Sequence, residues 1–244
     1  MPRLTRGKAA RFLAWGVLVI VVALKLEPYE GSLAGSSSNA FKLLVLEDGS
    51  YWTIYGRYLS GSFIVDGFIQ GTGTSDNGTF ASGNARDFGF APALPASINA
   101  TYDSTAETIA GTASYSAANV TFNGGPAAGA LYDYSAAASL STIAGTWSLT
   151  ESGGETVALS VAANGQFTTV ASSGCNMGGS VAPRASGKNV YNVSLIFGGA
   201  PCALPGQAAT GIAVAYPVGG GRTEMLLTVV EGNRQYGSAA VGSR

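Results

Sequence analysis

Clusters of Gly, Asn, Asp and Ser interrupt this chain at short intervals, and this spacing limits its fold more than any other feature. Asp48-Gly49, Ser60-Gly61 and Asp76-Asn77-Gly78 are typical of tight turns. Short runs rich in Val, Ile, Thr, Tyr and Phe lie between the clusters, and no helical stripe of apolar residues crosses them. Short β-prone runs separated by turn residues predict antiparallel hairpins.

The β-prone runs fall into two halves. The predicted strands cover 43–47, 51–58, 63–74, 97–102, 108–115 and 119–122, then 156–162, 166–171, 190–197, 210–216, 223–230 and 235–241. In the run 190–197 apolar and polar residues alternate, as in a strand with one buried face. We therefore expect an all-β fold in which hairpin meanders form two small β-sandwich or barrel domains. The alternative is one larger up-and-down barrel.

An alanine-rich segment without alternation, 127–142, separates the two halves. We interpret it as a linker or a short helix. The first β domain is then 43–126 and the second, which contains both cysteines, is 143–244. Residues 36–42, rich in serine, form a tether ahead of the first domain.

The first 35 residues resemble an export signal or an anchor. Four basic residues precede 12–24, a run of thirteen residues without charge. At 1.5 Å per residue this run is shorter than the roughly 30 Å hydrocarbon core, which favours a cleaved signal peptide over a spanning helix. Ser32 and Ala34 place small residues where a signal peptidase reads them.

The segment Leu33-Ala34-Gly35 also resembles the lipobox of bacterial lipoproteins, with Ser36 where the lipidated cysteine would stand. The alternative to cleavage is an uncleaved N-terminal helix that contacts the membrane only through 12–24. Either reading predicts an exported protein, in the periplasm or at the surface of a bacterium.

Composition excludes several kinds of chemistry. The chain has no histidine, which removes Ser-His-Asp and Cys-His nucleophile systems and histidine-ligated zinc. Beyond residue 35 it holds eight basic and twelve acidic residues, a balance that does not favour nucleic acid. We expect no catalytic residue, no cofactor and no metal.

Cys175 and Cys202 are the only cysteines. An even pair in an exported chain predicts a disulfide, and closing a loop of this length would stabilise the fold by about 3 to 4 kcal/mol. Two unpaired buried thiols are the alternative.

The second half resembles the META domain family of small exported bacterial β domains. The resemblance covers roughly 143–204. It is carried by Gly145-Thr146-Trp147 at the first strand, Gly174-Cys175-Asn176 followed by Gly178-Gly179-Ser180, and the later Cys202. It implies a small β domain and no catalytic residue. In general style the exported part is similar to uncharacterised envelope proteins of Gram-negative bacteria.

Four aromatic residues in one predicted strand are the candidate binding surface. Alternation places Tyr51 and Tyr55 on one face and Trp52 and Tyr58 on the other. An exposed aromatic row can stack on sugar rings or contact a protein. The alternative is that one face is core and the other is ordinary sheet surface.

These features predict a non-enzymatic envelope protein that binds a protein or glycan partner. A small ligand inside a barrel is less favoured, because no polar constellation marks a pocket in the sequence. One alternative is a hydrolase of envelope polysaccharide that uses two carboxylates, drawn from Asp66, Asp87 and Glu151. The other is a structural component of a surface layer or fibre.

Overall fold

A computed structural model describes residues 28–126 and 132–244, and within them the fold is all-β. Two eight-stranded antiparallel barrels stand where the sequence predicts two β domains, so the predicted fold class is confirmed. The predicted signal or anchor helix at 12–24 and part of the predicted linker, 127–131, lie outside the described residues. In the described part, no helix is long and apolar enough to pass through a membrane.

The first barrel is an up-and-down meander. Its strands are β1 (Pro28–Ala34), β2 (Ala40–Val45), β3 (Ser50–Leu59), β4 (Ser62–Thr72), β5 (Thr74–Asp76), β6 (Thr79–Asp87), β7 (Leu94–Asp103), β8 (Thr108–Ser114) and β9 (Asn119–Pro126). Strands β1 and β9 pair, and β4 pairs with β6 to close the barrel. The three-residue β5 only extends the edge of β6.

The first barrel begins earlier than position 43. Strand β1 occupies most of the segment predicted to end a signal peptide, and β2 begins inside the predicted tether. Tyr29 is fully buried, and β1 pairs with β2 on one side and with β9 on the other. Cleavage after Ala34 would therefore remove a strand of the closed barrel.

The second barrel follows a four-residue helix, α1 (Leu140–Ile143), at the end of the segment predicted as a linker or a short helix. Its strands are β10 (Gly145–Glu151), β11 (Thr156–Val161), β12 (Gln166–Ala171), β13 (Asn176–Pro183), β14 (Tyr191–Phe197), β15 (Ala208–Gly219), β16 (Arg222–Glu231) and β17 (Gly237–Ser243). Each strand pairs with the next, and β17 returns to β10. The residues that carry the META resemblance lie in β10, in β13 and in the loops that the cysteines occupy.

One end of the second barrel is covered. Trp147 of β10 is buried and donates its indole N–H to the carbonyl of Ile143, 2.8 Å away. The Arg244 guanidinium lies 4.2 Å from the centre of the Trp147 ring and donates to the carbonyls of Thr142 and Ala144. These contacts hold α1 across the barrel end.

The disulfide predicted between Cys175 and Cys202 is confirmed. It joins the loop between β12 and β13 to the loop between β14 and β15, at the end opposite α1. Both cysteines are buried. The bridge links the two loops that flank the paired strands β13 and β14.

The outer faces of the two barrels pack against each other. Residues of β2, β3 and β4 contact β15, β16 and β17 through two apolar clusters. Within this interface Trp52 stacks on Phe68, and Phe68 stacks on Phe88 with ring centres 4.5 Å apart. Tyr132 and Tyr134, in the segment predicted as a linker, are buried in the same interface.

Ion pairs border the apolar interface. Arg184 of the β13–β14 loop bonds Glu47 at 2.5 Å and Asp48 at 2.6 Å, both in the β2–β3 turn. Lys42 bonds Glu30 at 2.5 Å and lies 3.5 Å from Glu224 of β16. These groups join the two barrels at both margins of the contact.

The first barrel closes through its weakest strand pair. Only Ile69–Asp87 and Gln70–Arg86 are paired between β4 and β6. Beyond them the Asn84 side chain bonds the backbone N–H and the hydroxyl of Thr72. Arg234, in the β16–β17 turn, donates to the carbonyls of Gln70 and Asn84 at 2.9 and 3.0 Å. The second barrel thus bridges the closing strands of the first.

Replacing Arg234 by methionine should therefore destabilise the first barrel. The variant keeps much of the aliphatic stem but loses two charge-assisted hydrogen bonds to backbone carbonyls, so we expect a loss of about 2 kcal/mol in the free energy of unfolding. Urea unfolding followed by circular dichroism measures it. The exposed Arg222→Met is the matched control and should change stability by less than about 0.5 kcal/mol. Equal effects of the two substitutions would contradict the bridging role.

Candidate ligand-binding site

The first barrel is hollow. A cavity of about 460 Å³ opens at the end that carries the β1–β2, β6–β7 and β8–β9 loops. Eight strands leave an interior that either fills with side chains or holds one small ligand. The wall is mostly apolar, with Phe41, Leu43, Ile69, Phe80, Ile98, Ile109, Ala113, Val120 and Phe122 among its residues. Phe90 and Leu94 line the cavity from the β6–β7 side and are exposed.

A buried carboxylate interrupts this apolar wall. Asp87, at the end of β6, is only 3% exposed and lines the cavity. Its Oδ1 accepts hydrogen bonds from the Tyr55 hydroxyl at 2.6 Å and from the Gly89 N–H at 2.9 Å. Its Oδ2 accepts one from the Tyr115 hydroxyl at 2.7 Å. Strands β3 and β6 and the residue that follows β8 therefore converge on one anionic group.

Two glycines make room for this arrangement. A side chain on either Gly67 or Gly89 would collide with the Tyr55 hydroxyl. Burial raises the pKa of both Tyr55 and Tyr115, and the Asp87 carboxylate raises both further. The two hydroxyls therefore remain protonated hydrogen-bond donors at neutral pH.

A second carboxylate lines the same cavity and is neutralised. Asp66, the extra residue of a bulge in β4, bonds Arg57 at 2.5 Å and accepts a hydrogen bond from the Ser38 hydroxyl at 2.8 Å. No Lys or Arg within 28–126 or 132–244 forms a salt bridge with Asp87. Asp66 is thus paired with a cation, whereas Asp87 is held by neutral hydrogen-bond donors.

The four aromatic residues predicted as one binding surface lie in three places. Tyr51 and Tyr55 point into the first barrel, where Tyr51 bonds Ser82 and Tyr55 bonds Asp87. Trp52 is in the interface between barrels. Tyr58 is 53% exposed near the β3–β4 turn. The predicted alternation of faces is present, but it does not create a single aromatic row.

The second barrel has a smaller cavity of about 330 Å³, at the end near the disulfide. Glu151 lines it, as does Thr169, whose hydroxyl is buried without a hydrogen-bond partner in the described residues. Of the three carboxylates considered for a hydrolase, Asp66 and Asp87 therefore share one cavity while Glu151 belongs to the other barrel. Among the described residues, no three Cys, Asp or Glu side chains converge as a metal site requires.

Sequence reasoning missed Tyr115 and did not place Asp87 in a cavity. Asp87 follows a bulge between Ser82 and Ala85, so strict alternation from Phe80 assigns it to the wrong face. Tyr115 lies just beyond the last residue of β8. The available signal was a tyrosine and an aspartate at strand ends next to loops, which is too common to single out a site.

No protein-family model matches this chain, and no curated protein matches it. The META resemblance therefore rests on the quoted residues alone.

Two solved structures show a remote likeness. One is the isotype 1 transferrin binding protein B from serogroup B Neisseria meningitidis, with 11% sequence identity and a TM-score of 0.27. That match covers 85% of this chain and 65% of that chain, so this chain spans less than two thirds of that protein. The other is a protein of unknown function from the DUF3598 family of Nostoc punctiforme, with 12% identity and a TM-score of 0.25 over 90% of this chain and 95% of that chain.

The Glu151 carboxyl should make stability depend on pH. Burial raises its pKa. A hydrogen bond with the Ser238 side chain lowers this pKa by a smaller amount, and the Glu155 charge raises it slightly. The folded state therefore binds the extra proton between the ordinary pKa of 4.5 and the raised value, and the free energy of unfolding falls as pH rises through that window. Glu151→Gln should be more stable than the parent above the window and equal to it at lower pH.

Glu155→Gln is the control of opposite sign. The Ser173 side chain and backbone lower the pKa of Glu155, so this variant should lose stability at neutral pH and match the parent in acid. Urea unfolding between pH 3.5 and 8 measures both variants. A Glu151→Gln protein less stable than the parent at pH 8 would contradict the assignment.

Proposed function

We propose that this protein is an exported, non-enzymatic binding protein of the bacterial envelope that holds a small, mainly apolar ligand in its first barrel. The observation that carries the proposal is the open cavity of about 460 Å³, whose apolar wall contains one buried polar cluster. Small-molecule sites are concave, mostly apolar and oriented by a few polar groups. Tyr55, Asp87 and Tyr115 are such groups.

Because of this cavity, we prefer a small ligand as the partner over the protein or glycan that the sequence predicts. A cluster of polar residues does mark a pocket, and its members Tyr55, Asp87 and Tyr115 are far apart along the chain. A protein or glycan partner on the outer surface stays a prediction, for which Tyr58 and Leu59, 53% and 64% exposed at the β3–β4 turn, are the remaining candidates.

A second candidate function is a hydrolase, because Asp66 and Asp87 line one cavity. We favour binding over hydrolysis for two reasons. Both carboxylates are already held by hydrogen-bond donors, and an apolar wall suits a polysaccharide chain poorly. Turnover of peptidoglycan fragments by the parent protein, lost in Asp66→Asn and Asp87→Asn, would favour the hydrolase instead.

The proposed export leads to a prediction about the mature N-terminus. Because β1 completes the first barrel, we expect cleavage, if it occurs, before Pro28 and not after Ala34. Intact mass of protein purified from the soluble and membrane fractions of its host, with and without reduction and alkylation, measures both cleavage and thiol state. Both cysteines should be protected until reduction. A folded product that begins at Gly35 would contradict the predicted cleavage site. Free thiols in the native protein would contradict the disulfide.

The cavity itself is tested with N-phenyl-1-naphthylamine, a neutral dye that becomes fluorescent in apolar surroundings. We expect saturable binding to the parent protein with one dye per chain. Ala113 lies on the cavity wall, so Ala113→Phe should weaken dye binding by at least about tenfold by occupying the space.

Ala110→Phe is the matched control, because Ala110 lies on the outer face of the same strand and is exposed. This variant should bind the dye as the parent does. Circular dichroism and thermal unfolding establish that both variants are folded. Absence of saturable binding by the parent, or equal binding by the two folded variants, would refute the proposed cavity function.

A further inference from the structure

The charges that face the first cavity have one sign. Two carboxylates, Asp66 and Asp87, line it, and none of the described residues that line it is Lys or Arg. Arg57 bonds Asp66 near the β3–β4 end and is half exposed. The charge of Asp87 is the one that no cation in the described residues offsets.

Burial of a carboxylate in an apolar wall is costly unless it is hydrogen-bonded or paired. Tyr55, Tyr115 and Gly89 supply three donors to Asp87. A carboxylate has about four acceptor sites, so three donors leave room for one more. These donors hold the carboxylate in place while its negative charge is still available to a ligand.

Aromatic side chains surround the same space. Tyr55, Tyr115 and Phe90 line the cavity together with Asp87. Aromatic faces attract ammonium groups, most strongly where water is excluded. A cation in this cavity would thus meet a carboxylate and aromatic rings, and its apolar part would meet Leu43, Ile98 and Phe122.

We infer that the ligand of the first barrel is an amphiphile with one positively charged amine, which is bound by the Asp87 carboxylate while the apolar portion fills the barrel. This inference rests on the proposed binding function and specifies its ligand class. A ligand with a carboxylate or phosphate head is disfavoured, because it would face the unpaired Asp87 carboxylate in a wall that no Lys or Arg of the described residues lines. A neutral head would gain no attraction from the negative charge of Asp87.

The test compares three ligands of one chain length: decylamine, decanol and decanoate at pH 7. Each is titrated against the protein loaded with N-phenyl-1-naphthylamine, at concentrations below micelle formation. Decylamine should displace the dye at a concentration at least about tenfold lower than decanol, since a hydrogen bond to a charged group adds at least about that factor. Decanoate should be the weakest of the three.

Asp87→Asn removes the charge with little change of shape. It should reduce the ratio of decanol to decylamine dissociation constants to near one. Asp76→Asn, at the exposed end of β5, is the control for loss of one negative charge and should keep the parent's ratio.

Failure of this inference is distinguishable from failure of the proposed function. Dye binding that Ala113→Phe abolishes, with decylamine no better than decanol, overturns the amine and leaves the cavity function standing. Dye binding that is absent or insensitive to Ala113→Phe overturns the cavity function itself. If Asp87→Asn does not fold, the ratio in the parent decides: a ratio near one overturns the inference, and a ratio of about tenfold or more supports it.

Discussion

Closure of the first barrel between β4 and β6 is the constraint on which the hollow interior depends. A strand left unpaired exposes backbone groups that must find partners elsewhere. Here only two residue pairs close the ring, and the hydrogen bonds of Asn84 and Arg234 and the bond from the Phe88 N–H to the Phe68 carbonyl add to them. Because Arg234 belongs to the second barrel, the cavity of the first barrel relies on the second for its shape.

The position of the cavity follows from this dependence. The end of β6 and the loop after it place Asp87 and Gly89 at the cavity, whereas Phe88 and Ala93 of that loop pack into the interface. The Ala93 N–H also donates to the carbonyl of Gln235, 2.8 Å away. The second barrel thereby fixes the backbone that presents the carboxylate. A single small barrel with this loop free would leave the carboxylate less ordered.

Turn residues and alternation were enough to predict the fold class, because both are local properties of the chain. Strands β1, β6 and β13 were missed for a common reason. Their sequences, PYEGSLA, TFASGNARD and NMGGSVAP, contain few large apolar residues. These segments become strands because their backbones hydrogen-bond to neighbouring strands of the barrel. Local sequence patterns do not predict such long-range pairing. The site depended on the same long-range pairing and on the β6 bulge, so only its tyrosines on β3 were placed on a common face in advance.

The stacked rings of Trp52, Phe68 and Phe88 connect the interface to the loop that bears the carboxylate. Phe88 is the immediate chain neighbour of Asp87, and its ring lies at the end of the stack. The other tryptophan of the described residues, Trp147, sits in the opposite barrel under α1. Movement of the cavity rim would therefore change the fluorescence emission of Trp52. The emission of Trp147, in the other barrel, would serve as an internal reference.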